Sequence, residues 1–254
     1  MTRRAARKKE VQTLQLVSAN HDAMTNGPRR KTFSVQDMHH IEPLTDNQER
    51  AFELFDNQPD CGIFLEGYPG TGKTFIALYN SLKLVLDKNT PFKRLIIIRS
   101  TVPTRDLGFL PGEEDEKFAP YERPYQALFD NIFKYKKSYE NMKEAGLVHF
   151  ESTAFLRGNT YDDAVLFFDE CQNSTFAEFS TVVSRVGTNS KLVISGDTNQ
   201  SDFVKSSDKS DNYNFFRVLN AMPSIEKVKF GTEDIVRSGL CREMILTQIK
   251  LGLI

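Results

Sequence analysis

Apolar runs and amphipathic stretches alternate along most of this chain. Leu95-Ile96-Ile97-Ile98, Ala164–Phe168 and Leu192–Ser195 are apolar without interruption, the pattern of strands covered on both faces. Cys61–Glu66 reads as a further short strand, Leu147–Phe150 as a weaker one and Glu226–Phe230 as the last. Thr74–Leu86 has helical periodicity, and Thr45-Asp46-Asn47-Gln48 caps a helix running through Phe55. Further helices are predicted over Pro124–Tyr139, Thr175–Val186 and Asp234–Lys250, with a short one over Lys8–Val17. Strands alternating with helices predict an α/β fold, a mostly parallel sheet covered by helices on both faces. The stretch from Pro103 to Pro120, with its acidic block Glu113–Glu116, is too long for a simple connection, and long ordered loops are usually functional.

Composition narrows the class. The chain has 254 residues, 39% hydrophobic and 26% charged, which suits one large domain with or without a tail. No apolar run approaches the roughly 18 residues of a membrane helix, so no membrane partner is expected. Val11–Val17 is too short and too polar for the core of a signal peptide. Cys61, Cys171 and Cys241 stand far apart without a CxxC or a His cluster, against a disulfide scaffold or structural zinc. A soluble protein of a reducing compartment is expected. The net charge of −1 hides an asymmetry: residues 1–31 carry Arg3, Arg4, Arg7, Lys8, Lys9, Arg29, Arg30 and Lys31 against Glu10 and Asp22. With the turn signal Asn26-Gly27-Pro28, this places a basic N-terminal arm at 1–40 and a folded domain at 41–254. The arm fits either a solubilising tail or an electrostatic contact for nucleic acid.

Gly67-Tyr68-Pro69-Gly70-Thr71-Gly72-Lys73-Thr74 satisfies G-x-x-x-x-G-K-[ST] between a predicted strand and a predicted helix. In that context the backbone from Gly67 through Pro69, Gly70 and Thr71 to Gly72 curls around phosphate, with the N–H groups of its non-proline residues pointing at the oxygens, aided by the helix N-terminus. Lys73 reaches the β- and γ-phosphates and the Thr74 hydroxyl ligates Mg²⁺. Val165-Leu166-Phe167-Phe168-Asp169-Glu170 ends an apolar strand in two acids that should emerge beside the phosphate loop. Asp169 is expected to hold Mg²⁺ and Glu170 to activate the attacking water, a base that pure phosphotransferases do not need. The expected ligands are therefore ATP and Mg²⁺. Ser195-Gly196-Asp197-Thr198-Asn199-Gln200 follows the next strand, and Gln200 there could sense the γ-phosphate and the water. Gln48 fits either a contact to the adenine edge or an ordinary helix surface. Arg99 ends a strand expected next to the phosphate loop, where it would touch phosphate or a neighbouring acid. Phe118, Tyr121 and Tyr125 fit either stacking surfaces for bases or core aromatics.

Asp169-Glu170-Cys171-Gln172, the later Gly196-Asp197 with Gln200, and the upstream Gln48 resemble superfamily-one helicases. The string Ile98-Arg99-Ser100, Leu107-Gly108-Phe109-Leu110-Pro111-Gly112, Pro120-Tyr121, Arg123-Pro124 and Leu156-Arg157-Gly158 is more specific. With Asp169–Asn173 it resembles the PhoH family of ATPases over residues 41–250. The resemblance implies a RecA-like P-loop ATPase, cytoplasmic, with links to RNA handling. It also suggests a compact form such as phages carry, without the nuclease or RNA-binding module of longer relatives. The expected activity is ATP hydrolysis coupled to single-stranded RNA or DNA, helicase- or translocase-like. The alternative is a nucleic-acid-independent ATPase switch or remodelling factor acting on a protein partner. Superfamily-one helicases close the site with arginines of a second domain, for which 41–254 has no room. A neighbouring subunit would then supply one, Arg237 first, then Arg157 and Arg185, in a homo-oligomer for which a hexameric ring is the family analogy.

Overall fold

A computed structural model describes residues 32–57, 62–100, 114–156, 158–198 and 206–254. Six strands, β1 (Gly62–Gly67), β2 (Arg94–Arg99), β3 (Val148–Ser152), β4 (Ala164–Asp169), β5 (Lys191–Gly196) and β6 (Ile225–Phe230), form one sheet in the order β3-β2-β4-β5-β1-β6. Every pairing is parallel. Successive side chains of a strand point to opposite faces, and both faces here are apolar. Ile63, Leu65, Leu95, Ile97, Val165, Phe167 and Val193 enter one core, while Phe64, Ile96, Ile98, Leu166, Phe168 and Ile194 enter the other. That division explains why the central strands read as unbroken apolar runs.

The first face is covered by α1 (Asp46–Asn57), α2 (Lys73–Leu86), α3 (Glu114–Ile132) and α4 (Ser138–Glu144), which supply Phe55, Leu82, Phe129 and Met142 to its core. The second is covered by α5 (Phe176–Val183) and α6 (Ser206–Ala221), through Phe179, Val182, Phe215 and Leu219. A last helix, α7 (Gly239–Lys250), buries only Ile245 among its described side chains. Among the described residues no helix is long and apolar enough to cross a membrane.

Three expectations need correction. The helix expected over Pro124–Tyr139 begins ten residues earlier, at Glu114, and carries Pro120 and Pro124 inside it before ending at Ile132. Proline usually opens a helix because its missing N–H is unpaired there anyway; here the face formed by Tyr125, Phe129 and Ile132 packs on the core and outweighs the lost backbone bonds. The closing helix begins at Gly239 and not at Asp234, which ends a single 3₁₀ turn (Thr232–Asp234) and accepts the Gly231 N–H at 2.7 Å. Helix α6 lies where the hydrophobic pattern singles out nothing, because its first half is Ser-, Asp- and Lys-rich. Residues 1–31 of the N-terminal arm with the expected Lys8–Val17 helix, the Leu107–Gly112 string and Glu113 lie outside the described residues. The rest of the expected arm, residues 32–40, is described, and its Phe33 and Met38 pack on the first core.

The carboxyl ends of β4 and β5 are packed against each other through a single 3₁₀ turn, Cys171–Asn173. Gly196 closes β5 with no room for a side chain: a Cβ there would stand 2.4 Å from Cys171 Sγ and 2.8 Å from Gln172 Oε1. Gly196→Ala should therefore destabilise the fold by about 1–3 kcal/mol, the usual cost of overpacking, and Cys171→Ala in the same chain should return part of it. Denaturant unfolding midpoints check this; an unshifted midpoint for Gly196→Ala refutes it.

Candidate functional site

The phosphate loop joins β1 to α2, as its sequence requires, and its shape is held from three sides. Thr71 is buried, and its hydroxyl donates to the Tyr68 carbonyl at 2.8 Å. Gly70 (φ +79°) and Gly72 (φ +87°) turn through the left-handed region that favours glycine. Gln48 is buried under the loop: Leu44 N donates to its Oε1 at 2.8 Å, and its Nε2 donates to the Thr71 carbonyl at 3.0 Å. The surface-helix alternative for Gln48 is thereby excluded. Pro69 is half-buried on the same loop. Lys73 lies across the loop and donates from Nζ to the carbonyls of Gly67 (2.6 Å) and Tyr68 (2.7 Å). Burial lowers its pKa, and the charges of Asp197, Glu170 and Asp169 oppose that fall.

Asp169 and Glu170 stand at the carboxyl edge of the sheet, and Asp169 reaches the phosphate-loop helix directly although strand β5 lies between β1 and β4. Thr74 Oγ1 donates to Asp169 Oδ1 at 3.0 Å, Ser195 donates to the same oxygen, and Tyr125 OH donates to Oδ2 at 2.8 Å. Burial and then the Asp169 charge push the Tyr125 hydroxyl well above its ordinary pKa, so it remains a donor. Tyr125 is 1% exposed, so it is not a stacking surface; Tyr121 packs against the same core. Phe118 packs on Phe150 and on the exposed Phe155.

Arg99 does not stand next to the phosphate loop, and of its two expected contacts it is placed for the neighbouring acid. Its strand is separated from β1 by β4 and β5, and Arg99 is in register with Asp169. Burial works against its charge, but Tyr125, Asp169 and Glu170 more than offset this and raise its pKa. Its neighbours are thus acids. Glu170 sits in a left-handed conformation (φ +52°), with a carboxyl pKa raised by burial and by Asp169 and held back by Gln172, Arg99 and Lys73. Gln172 is the strut of this corner: its Nε2 donates to Glu170 Oε2 at 2.5 Å, and its Oε1 accepts the Asp197 N–H at 3.1 Å. Asp197 is buried, and Thr198 Oγ1 donates to Glu66 Oε1 at 2.6 Å. Gln200 and Arg157 lie outside the described residues.

The two remaining arginines separate. The Arg185 carbonyl accepts from Tyr161 N, just before β4 starts, which places it at the edge of the sheet opposite the phosphate loop. Arg237, expected to act across a subunit boundary, packs on the phosphate loop of its own chain: a Cβ at Gly70 would meet its Cγ at 2.7 Å. The contacts of Tyr125 and Ser195 with Asp169 are what sequence reasoning missed. Ser195 adjoins the Gly-Asp signal and could have been found; Tyr125 lies 44 residues from Asp169 and carries no local signal.

The oxygen donors of Thr74 and Asp169 suit Mg²⁺, which binds through one or two carboxylates plus substrate phosphates and water. Among the described residues no cluster of three or more His, Cys, Asp or Glu side chains could form an all-protein cage.

Comparison with known proteins agrees with this geometry. The family model described as PhoH-like protein matches residues 40–248. Protein PhoH of Escherichia coli is 36% identical over 187 residues, covering 72% of this chain and 51% of that protein. A PhoH-like protein of Bacillus subtilis is 35% identical over 185 residues, covering 72% and 56%. The chain thus spans about half the length of these relatives. Among solved structures, the large terminase of a thermophilic bacteriophage superposes with a TM-score of 0.53 at 12% identity, over 82% of this chain and 50% of the terminase, a likeness of fold alone. With a phosphate loop tied to an acid pair across an all-parallel sheet, and a family match over nearly the whole described domain, the chain belongs to the PhoH-like family and has a RecA-like P-loop fold.

Proposed function

We propose that this protein binds ATP at Gly67–Thr74, hydrolyses it with Mg²⁺, and couples turnover to single-stranded RNA or DNA. The observation that carries the catalytic part is the Thr74–Asp169 hydrogen bond with Glu170 next in sequence, which brings a phosphate-binding helix terminus and a carboxylate pair to one point. Lys73 exchanges the carbonyls of Gly67 and Tyr68 for phosphate oxygens. Thr74 and Asp169 would hold Mg²⁺, which supplies charge neutralisation at the phosphates. Glu170, its basicity raised by burial, accepts the proton of the attacking water, and Gln172 keeps it aimed. Coupling to nucleic acid is supported by the basic segment 1–31 and by the helicase-like Asp-Glu-x-Gln and Gly-Asp pattern. The exposed Leu240 and Met244 of α7 favour self-association as a homo-oligomer.

Lys73→Ala should weaken binding of ATP by at least about tenfold, since one charge-assisted hydrogen bond to phosphate is worth about 1.5–3 kcal/mol. Isothermal titration checks this; unchanged affinity excludes the loop as the ATP site.

Glu170→Gln should keep ATP affinity and lower turnover at least about a hundredfold, the effect of removing a general base. Single-turnover hydrolysis is the measurement, and a near-normal rate would place the base on another residue.

Steady-state turnover with and without single-stranded RNA or DNA tests the coupling. Stimulation is expected, with a shallower salt dependence of binding once residues 1–31 are removed, because fewer counterions are released. Turnover indifferent to both nucleic acids would favour the switch acting on a protein partner.

A further inference from the structure

We propose that Arg237 serves the nucleotide site of its own chain, its guanidinium binding a phosphate of the nucleotide held by Gly67–Thr74. This rests on the ATP-binding reading above and changes the direction from which the arginine arrives. The backbone around Arg237 is bound to the phosphate loop. Val236 N donates to the Gly70 carbonyl at 3.1 Å, and a Cβ at Gly70 would meet Arg237 Cγ at 2.7 Å and Ile245 Cδ1 at 3.3 Å. The arginine stem thus lies on the loop, and the close approach together with φ +79° explains glycine at position 70.

The same segment is fixed on its other side. Asp234 is fully buried, accepting Gly231 N at 2.7 Å and Asn47 Nδ2 at 2.8 Å. Asn47 adjoins Gln48, which holds the Thr71 carbonyl. Arg242 Nε donates to the Ile235 carbonyl, tying α7 to the segment. Arg237 is therefore mounted on a frame shared by β6, the start of α1 and the phosphate loop. A rigid mount is what a phosphate-reading side chain needs.

Charge supplies the second argument. The Arg237 side chain is exposed, and among the described residues it forms no hydrogen bond or ion pair. The carboxylates of Asp169, Glu170 and Asp197 act on Lys73, while Lys73 and Arg99 are the cations acting on Glu170. Arg99 is also drawn to Tyr125 and Asp169, away from β1. A polyanionic nucleotide entering such a site needs further positive charge at the loop itself. Arg237 provides it, with a planar fork suited to phosphate oxygens.

The experiment is isothermal titration of magnesium and a non-hydrolysable ATP analogue into the full chain carrying Arg237→Gln or Arg237→Lys, beside wild type and Lys73→Ala. Arg237→Gln keeps much of the stem on Gly70 and removes the charge. Affinity should fall about tenfold or more for Gln and less for Lys, with thermal unfolding unchanged for both. Mixing Lys73→Ala with Arg237→Gln chains should give no ATPase activity beyond the sum of the two, because no chain then has both groups. Wild-type affinity in Arg237→Gln, or recovered turnover in the mixture, overturns the proposal and, in the second case, returns the arginine to a neighbouring subunit. Failure of wild type itself to bind the analogue overturns the ATP-binding reading, a result distinct from either.

Discussion

Asp169 is a carboxylate that accepts three hydroxyl hydrogen bonds, from Thr74 on α2, Ser195 on β5 and Tyr125 on α3. Each donor belongs to a different element, so a single side chain sets where the phosphate-loop helix, two strand ends and a covering helix stand relative to one another. Burying a carboxylate is costly unless its lone pairs are filled, and here they are filled with neutral donors while Arg99 stands near. Charge-assisted bonds of this kind are each worth about 1.5–3 kcal/mol. The site is consequently stiff at the acid pair, and a metal would meet ligands already in place.

The neighbouring corner follows the same logic at longer range. Gln172 spans from Glu170 to the backbone of Asp197, and Gly196 exists as glycine because Cys171 and Gln172 fill the space a Cβ would need. Glu170 is thereby held in place, and burial with the Asp169 charge raises its pKa while Gln172, Arg99 and Lys73 restrain the rise. A carboxylate balanced in this way is a stronger base than one in water and remains aimed. The phosphate loop itself is braced by Gln48 from below and by the Val236–Arg237 segment from above. The candidate nucleotide site is therefore built from residues between positions 44 and 237, with elements far apart in sequence converging on the carboxyl edge of one sheet.

Much of this is legible in the residues alone. The phosphate loop announces itself because its chemistry is local: eight consecutive residues supply turn, N–H groups, lysine and hydroxyl. The β2, β4 and β5 runs are equally plain, since strands covered on both faces have no polar alternation to blur them. The acid pair is legible as the end of such a run. Helix α3 starts ten residues before its expected position because local proline preference marks Pro124 as a helix opening, whereas the apolar face that continues through it is rewarded only by packing. Helix α6 escapes the pattern because its polar first half carries no periodic signal.

The sequence by itself determined the class of fold, the phosphate loop, and Thr74, Asp169 and Glu170 as candidate site residues, all of which depend on short-range spacing and on unbroken apolar runs. Tertiary structure decided what touches what. Tertiary packing placed β5 between β1 and β4, moved Arg99 to the acid side, brought Tyr125 onto Asp169 and laid Arg237 on its own loop. Parallel strands joined by long crossovers carry no local record of their order, because each crossover can return to either side of the sheet at similar local cost. Only the packing of the two cores chooses among those orders, and with it the partners of every side chain at the carboxyl edge.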